Sequence, residues 1–375
     1  LNIKKNIIYV LCFIAFIILV LNTGICLAAA KEGLSLWINV VFPSLFPFFI
    51  ATSILISCGA ASAFGEMLSP VMNKLFKASG ESGYIIATSM LSGYPMGPRL
   101  CAQMYSKGYI DTDQVEHFLS FVNTSGPSFI IGAVAGGMLR STQLGTYIAL
   151  SHYLGAMLTG MLFSIKRNKI KAKHYIPQQL EIPPFGKMLS EAVNNAMQTQ
   201  LVIGGYIILF SIIINLLLQL NILQSISGIF ALIGINDSEL ITSTLAGLFE
   251  ITNSCSLLVK NVKSLNTLLP ILSAVISFSG FSILMQSYTL ISETGVQFKA
   301  LIFPKIVHAV IAFLLCNIAL MIFPISLETS NIVINYSYSF VDIIINSLSY
   351  SIIYVLAIFI TIIMNRIILN NKKPD

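Results

Sequence analysis

From Ile7 almost to its last residues, the chain returns repeatedly to apolar stretches near the 20 residues that an α-helix needs to cross a bilayer. Such runs leave little choice of environment. Hydrophobic residues make up 56% of the 375 positions and charged residues 10%, against roughly 45–50% and 25% in an ordinary globular domain. That balance cannot cover a water-facing surface, so most of the chain belongs in lipid and a soluble enzyme is excluded. The lipid bilayer is its expected surrounding.

The formal net charge of +6 is concentrated in a few places. Lys4 and Lys5 precede the first apolar run, Lys166, Arg167, Lys169, Lys171 and Lys173 crowd one linker, and Arg366, Lys372 and Lys373 come near the end. This is positive-inside patterning and not a nucleic-acid-binding stripe, so no nucleic acid is expected as a partner. The six cysteines (Cys12, Cys26, Cys58, Cys101, Cys255, Cys316) lie in apolar segments without CxxC spacing and read as packing residues. Four scattered histidines offer no metal cluster, and HExxH, GxSxG, Walker and GxGxxG patterns are missing. No catalytic residue, metal or cofactor is therefore expected, and ATP drive within this chain is not expected either. Residues 4–30 could form a cleavable signal ending at Ala28-Ala29-Ala30. The length of the apolar run favours a retained helix, and either outcome leaves Lys31 outside.

Two stretches of similar length flank the basic linker and read as copies of one unit. Gly93 in LSGYPMG matches Gly247 in LAGLFEI, and Gly126 in NTSGPSF matches Gly280 in SFSGFSI at an identical offset; His152 and His308 match at an offset larger by two. Each copy has an apolar helix, a shorter amphipathic stretch, two interrupted segments and a final continuous helix. The first-copy segments are 36–58, 61–76, 84–105, 117–139 and 143–165; the second-copy segments are 188–218, 222–235, 238–258, 265–290 and 299–323. Further helices are expected at 7–29 and 341–369. The domain reading is an N-terminal helix or signal anchor (1–32), a first repeat (33–165), a basic cytoplasmic linker (166–184), a second repeat (185–325) and a C-terminal helix with a basic tail (326–375).

Loop charge sets the orientation. With Lys4 and Lys5 inside, Lys31 emerges outside, yet the 166–173 linker should again be inside, so the first copy crosses an odd number of times. The basic C-terminus requires the same of the second. The expected fold is an all-α polytopic membrane protein with two inverted-topology repeats, the architecture of many secondary transporters. Parity further requires that one interrupted segment in each copy does not cross fully, which makes it a re-entrant hairpin.

The interruptions are where chemistry is expected. Gly93, Pro95, Gly97 and Pro98 break a segment otherwise long enough to span. Asn123, Thr124, Ser125 and Gly126 form a second break, Glu250, Thr252 and Asn253 a third, and Ser277, Ser279 and Gly280 a fourth. Open backbone at membrane depth is tolerated only when buried in protein or lining a polar cavity. Half-helix N-termini there would bind carboxylates through free N–H groups, whereas Gly and Ser could instead serve close helix packing. Four breaks in symmetric positions favour a central substrate site.

Arg99 and Glu250 are the charges best placed within the membrane, where such a residue costs about 2.5–3.5 kcal/mol on insertion scales. Arg99 either meets an anionic substrate or snorkels to the interface; Glu250 either meets a cation or holds a proton, which leaves a coupling proton or cation open. His152 and His308 read as hydrogen-bonded packing residues, and Lys305, after Pro304 near a helix start, as interfacial.

The stretches LWINVVFPSLFPFFI (36–50), SGYPMGPRL (92–100), FVNTSGPSFIIGAVAGG (121–137) and LSHYLG (150–155) resemble the YlbJ-type sporulation integral membrane proteins. In the second copy the resemblance thins to LAGLFEITNS (245–254) and the Ser-Gly element near Gly280. That family carries nucleoside-recognition, or Gate, domains and is distantly similar to concentrative nucleoside transporters. The resemblance implies a mother-cell protein of the outer forespore membrane that moves dipicolinic acid, a small aromatic dicarboxylate, toward the forespore. Nucleoside or nucleobase transport, and a non-transporting scaffold for spore assembly, stand as alternatives. Oligomeric state stays open, a homo-oligomer included.

Overall fold

The computed structural model describes residues 3–58, 60–78, 81–165, 183–231 and 236–325. Most of the expected linker and the expected helix at 341–369 lie outside these residues. Regular structure among the described residues is helical throughout.

The helix expected at 7–29 is not one element. α1 (Ile3–Leu21) ends at Asn22, whose backbone leaves the helical region and whose side-chain amide donates to the Ile18 carbonyl at 2.8 Å. Local side-chain bonding of this kind competes with the helical ladder. α2 (Thr23–Leu36) then continues through a wider π-type turn at Trp37–Val41 into α3 (Phe42–Ser57). Together they form one 35-residue rod, Thr23–Ser57. The boundary expected near residue 33 thus falls inside a helix: Gly33 packs against Ser211, and Ser211 Oγ donates to the Ala29 carbonyl at 2.9 Å.

The five-part layout then appears twice. In the first copy the rod is followed by α4 (Ala60–Leu75), the broken pair α5 (Glu81–Ser92) and α6 (Met96–Ser106), and a second broken segment. That segment joins α7 (Thr112–Val122) to a π-helix at Ser128–Met138, and α8 (Thr142–Ser164) closes the copy. The second copy runs α9 (Phe185–Gln219), α10 (Ile222–Ala231), α11 (Ser238–Phe249) with α12 (Ile251–Asn261), α13 (Leu265–Phe278) with α14 (Gly280–Ile291), and α15 (Phe298–Ile322). Matching parts have matching lengths. The leading rods have 35 residues each, the first broken pairs 12 and 11 in both copies, and the closing helices 23 and 25.

Packing follows the same symmetry. The rod α2–α3 lies along α9, and α8 lies along α15. α7 packs on α15 as α13 packs on α8, and α6 meets α14 as α12 meets the π-helix. The rods run antiparallel: Ser211 lies beside Gly33, Gln200 beside Trp37 and Met188 beside Cys58. Close approach depends on glycine, because a Cβ on Gly204 would sit 2.6 Å from the Trp37 ring. The copies are therefore inverted repeats.

α5 packs back on α6, and α11 on α12, as the arms of a hairpin do. Both pairs have the hairpin form expected of a re-entrant segment. The other two broken segments send their halves into different cores. α7 and α14 contribute to an apolar core that includes Met72, Phe76, Phe118 and Leu284; the π-helix and α13 contribute to one that includes Ile130, Ile148, Leu269 and Ile276. Their breaks lie between the two. Outward faces such as Leu150, Leu154, Leu158 and Leu162 on α8 are exposed and suit a lipid boundary.

Candidate functional site

Each break has a local cause. Gly93 takes a left-handed conformation (φ 78°), and a cis Tyr94–Pro95 bond follows before α6 begins. In the second break the π-helix starts after Pro127, which carries no N–H. Glu250 sits in extended conformation between α11 and α12, and its carboxylate caps α12 by accepting from the N–H groups of Thr252 (2.9 Å) and Asn253 (2.7 Å). Ser279 and Gly280 are both left-handed (φ 74° and 69°), which ends α13 and restarts the chain as α14.

Three of the four breaks, together with the helix that follows the fourth, reach one cavity. Its walls include Ser92, Gly93 and Tyr94 from the first break and Ser125, Gly126 and Ser128 from the second. Glu250 and Thr252 come from the third, and Ser282 and Gln286 from the helix after the fourth. Apolar side chains, among them Phe49, Phe129 and Ile207, complete it. A mostly apolar cavity with a few convergent polar groups is the usual form of a small-molecule site.

Its polar groups are unevenly satisfied. The start of α12 is filled by Glu250, whereas the π-helix and α14 begin with no side-chain cap. Those two starts leave positive dipole ends near the cavity. Ser92 Oγ and Ser125 Oγ are buried without a hydrogen-bond partner, as are both side-chain polar atoms of Asn123 and the Thr124 hydroxyl. A buried polar atom left unpaired costs about 1–3 kcal/mol, so this cluster favours a polar ligand or ordered water.

Of the residues expected at the site, Gly93, Ser125, Gly126, Glu250 and Thr252 line the cavity. Asn253 stands behind it, donating from Nδ2 to the Ile207 carbonyl at 3.1 Å and to Glu250 at 3.1 Å. Pro95, Ser279 and Gly280 shape their breaks without being part of the lining, and Gly97 packs on the Val122 carbonyl. Asn123 and Thr124 are buried behind Ser125. Arg99 is exposed on α6, outside the cavity, with its buried neighbours Pro98 and Leu100 facing inward. This geometry matches the snorkelling alternative and removes Arg99 from the substrate's immediate surroundings.

Lys305 corrects the interfacial reading. It is 2% exposed, and Nζ lies 3.0 Å from Tyr94 Oη, 2.8 Å from the Asn123 carbonyl and 3.4 Å from His308 Nδ1. No Asp or Glu side chain pairs with it among the described residues. His308 Nε2 donates to the His152 carbonyl at 2.7 Å, and His152 Nε2 accepts from the Ser125 N–H at 3.0 Å. His152 Nδ1 is then the protonated nitrogen and donates to Ser277 Oγ at 2.8 Å. The two histidines thus tie the second and fourth breaks together. A signal was present in the sequence: Lys305 shares a helical stripe with His308, Ala312 and Cys316, all buried, while Phe303, Ile306, Val310 and Leu314 face outward.

Residues 38–142 match the family described as Gate, nucleoside recognition. The sporulation integral membrane protein YlbJ of Bacillus subtilis (strain 168) is 35% identical over 306 residues, covering 76% of this chain and 75% of that protein. Among solved structures, a variant of CNTnw in its intermediate 3 state aligns with a TM-score of 0.56 at 13% identity, over 87% of each chain. CNTnw in an inward-facing substrate-bound state gives a TM-score of 0.52 at 14% identity, over 84% of this chain and 87% of that one. The likeness to these two structures is one of fold.

Proposed function

Because this chain belongs to the YlbJ family of sporulation integral membrane proteins, we propose that it is a membrane transporter, not a catalyst, moving dipicolinic acid across the outer forespore membrane. One observation carries the reading. Three of the four helix breaks, and the helix that follows the fourth, converge on a single cavity to which both inverted copies contribute. In inverted-repeat transporters such breaks hold the substrate near the midplane while one part rocks against the other.

The polar inventory supports a small anion. Dipicolinate is a planar dianion at neutral pH. Its carboxylates suit the uncapped starts of the π-helix and α14 and the unpartnered hydroxyls of Ser92 and Ser125. Lys305 supplies positive charge directly behind Tyr94 and Asn123.

Glu250 favours a second reading. A carboxylate in the cavity wall accepts hydrogen bonds from hydroxyl groups and repels an anion, which suits a nucleoside or nucleobase. A scaffold without transport would leave the convergent breaks without a task. Proteoliposomes holding only this protein separate the readings: saturable dipicolinate flux with little uridine flux is expected. Uridine flux alone would favour the nucleoside reading, and flux of neither would overturn transport by this chain.

A further inference from the structure

Lys305 is unusual less for its burial than for what surrounds its nitrogen. An ammonium carries three N–H donors and no acceptor. Around Nζ stand three groups: Tyr94 Oη, the Asn123 carbonyl and His308 Nδ1. Each is committed to accepting. Tyr94 spends its own proton on the Ile276 carbonyl at 3.1 Å. His308 spends its proton on the His152 carbonyl, which leaves Nδ1 as a lone pair. A carbonyl oxygen only accepts. Three acceptors therefore meet three donors, and a neutral amine would turn its lone pair toward one of them. The Tyr94 ring adds a face 5.0 Å from the nitrogen.

Such an arrangement is a cage for a small monovalent cation, assembled from three separate elements: the tip of the α5–α6 hairpin, the break after α7, and α15. We propose that the ε-ammonium of Lys305 is a tethered cation that permanently fills this cage. It clamps the hairpin tip to the broken helix. The consequence is specific. The wild-type protein needs no sodium, potassium or ammonium at this position, and removing the tether creates a vacant site that a small free cation can occupy.

This inference rests on the transporter reading only for its purpose, so its test needs no substrate. The purified full-length chain in detergent is heated in N-methylglucamine chloride, and in matched sodium, ammonium or methylammonium chloride. The wild-type midpoint is expected to be the same in all four. Lys305→Ala is expected to unfold several degrees lower in N-methylglucamine and to recover at least half of that loss with methylammonium, saturably. Lys305→Met, which refills the volume with an uncharged chain, is expected to stay low in every salt. The proposal is overturned if Lys305→Met matches the wild type, if methylammonium raises wild type and Lys305→Ala alike, or if it rescues neither variant. Should neither variant purify, the wild type still decides, because saturable stabilisation by sodium or ammonium would show the cage unfilled. Absent flux of dipicolinate and uridine would remove the transport reading and leave this result standing.

Discussion

Gly93 and Gly126 touch backbone to backbone: a methyl group placed on Gly126 would lie 3.1 Å from the Gly93 nitrogen and 3.2 Å from its Cα. The contact joins the hairpin tip to the second break at the cavity wall; close contact limits both glycines, and backbone conformation limits Gly93 as well. Gly93 is left-handed, which costs a residue with a side chain about 1–2 kcal/mol even in open space. Gly126 has no such constraint and is limited by contact alone. Gly93→Ala is therefore expected to reduce substrate flux more than Gly126→Ala. Gly126→Leu is expected to abolish flux while membrane abundance holds. Flux measured at matched abundance orders the three variants, and wild-type flux in Gly126→Leu would refute the close contact.

Glu250 offers a test of substrate charge. Its carboxylate accepts two backbone N–H bonds at the start of α12, and loss of one charge-assisted acceptor should cost about 1–2 kcal/mol of stability. Glu250→Gln is therefore expected to lower the unfolding midpoint. It should tighten dipicolinate binding, because a like charge leaves the wall, and weaken uridine binding. Calorimetric titration of both ligands reads the two directions independently.

Arg99 is expected to matter little. It is exposed and outside the lining, so Arg99→Gln should change dipicolinate affinity by less than about 1 kcal/mol, the usual range for exposed charges. A tenfold loss, close to 1.4 kcal/mol, would place Arg99 within reach of the ligand in another conformation.

Orientation can be read by cysteine labelling in a background without the six native cysteines. Lys187, 67% exposed at the start of α9, follows the basic linker and should be inside; Lys31 lies beside the other half of α9 and should be outside. An impermeant thiol reagent on intact cells is expected to label Lys31→Cys and spare Lys187→Cys. Equal labelling would contradict the odd crossing number of the first copy.

The architecture was legible where backbone chemistry leaves a mark in residue type. Pro95, Gly93, the Asn123–Gly126 run and the Ser279-Gly280 pair interrupt apolar segments, and the chain breaks at each. Loop charge and the repeated offset then imply inversion, which the antiparallel rods bear out. The direction of long side chains left no comparable mark. Arg99 and Lys305 both sit near the ends of apolar segments, yet one points outward and the other into the protein. A turn of the helix decides between those outcomes, and proximity to a segment end does not. The continuity of Thr23–Ser57 was hidden for another reason: Lys31 and Glu32 interrupt hydropathy without interrupting helix.

The Lys305 contacts also govern how the molecule can be made. Its oxygen acceptors, Tyr94 and Asn123, belong to the first copy, and the Ser277 that receives a proton from His152 belongs to the second. Neither half therefore completes its own interior. During synthesis α15 emerges last among the described helices, carrying a charge whose partners were laid down some two hundred residues earlier. Its lasting insertion depends on a first half already standing and still open to receive it. Two copies that descend from one unit have in this way become mutually dependent, so that neither could be duplicated, exchanged or discarded alone without leaving a charge or a histidine stranded.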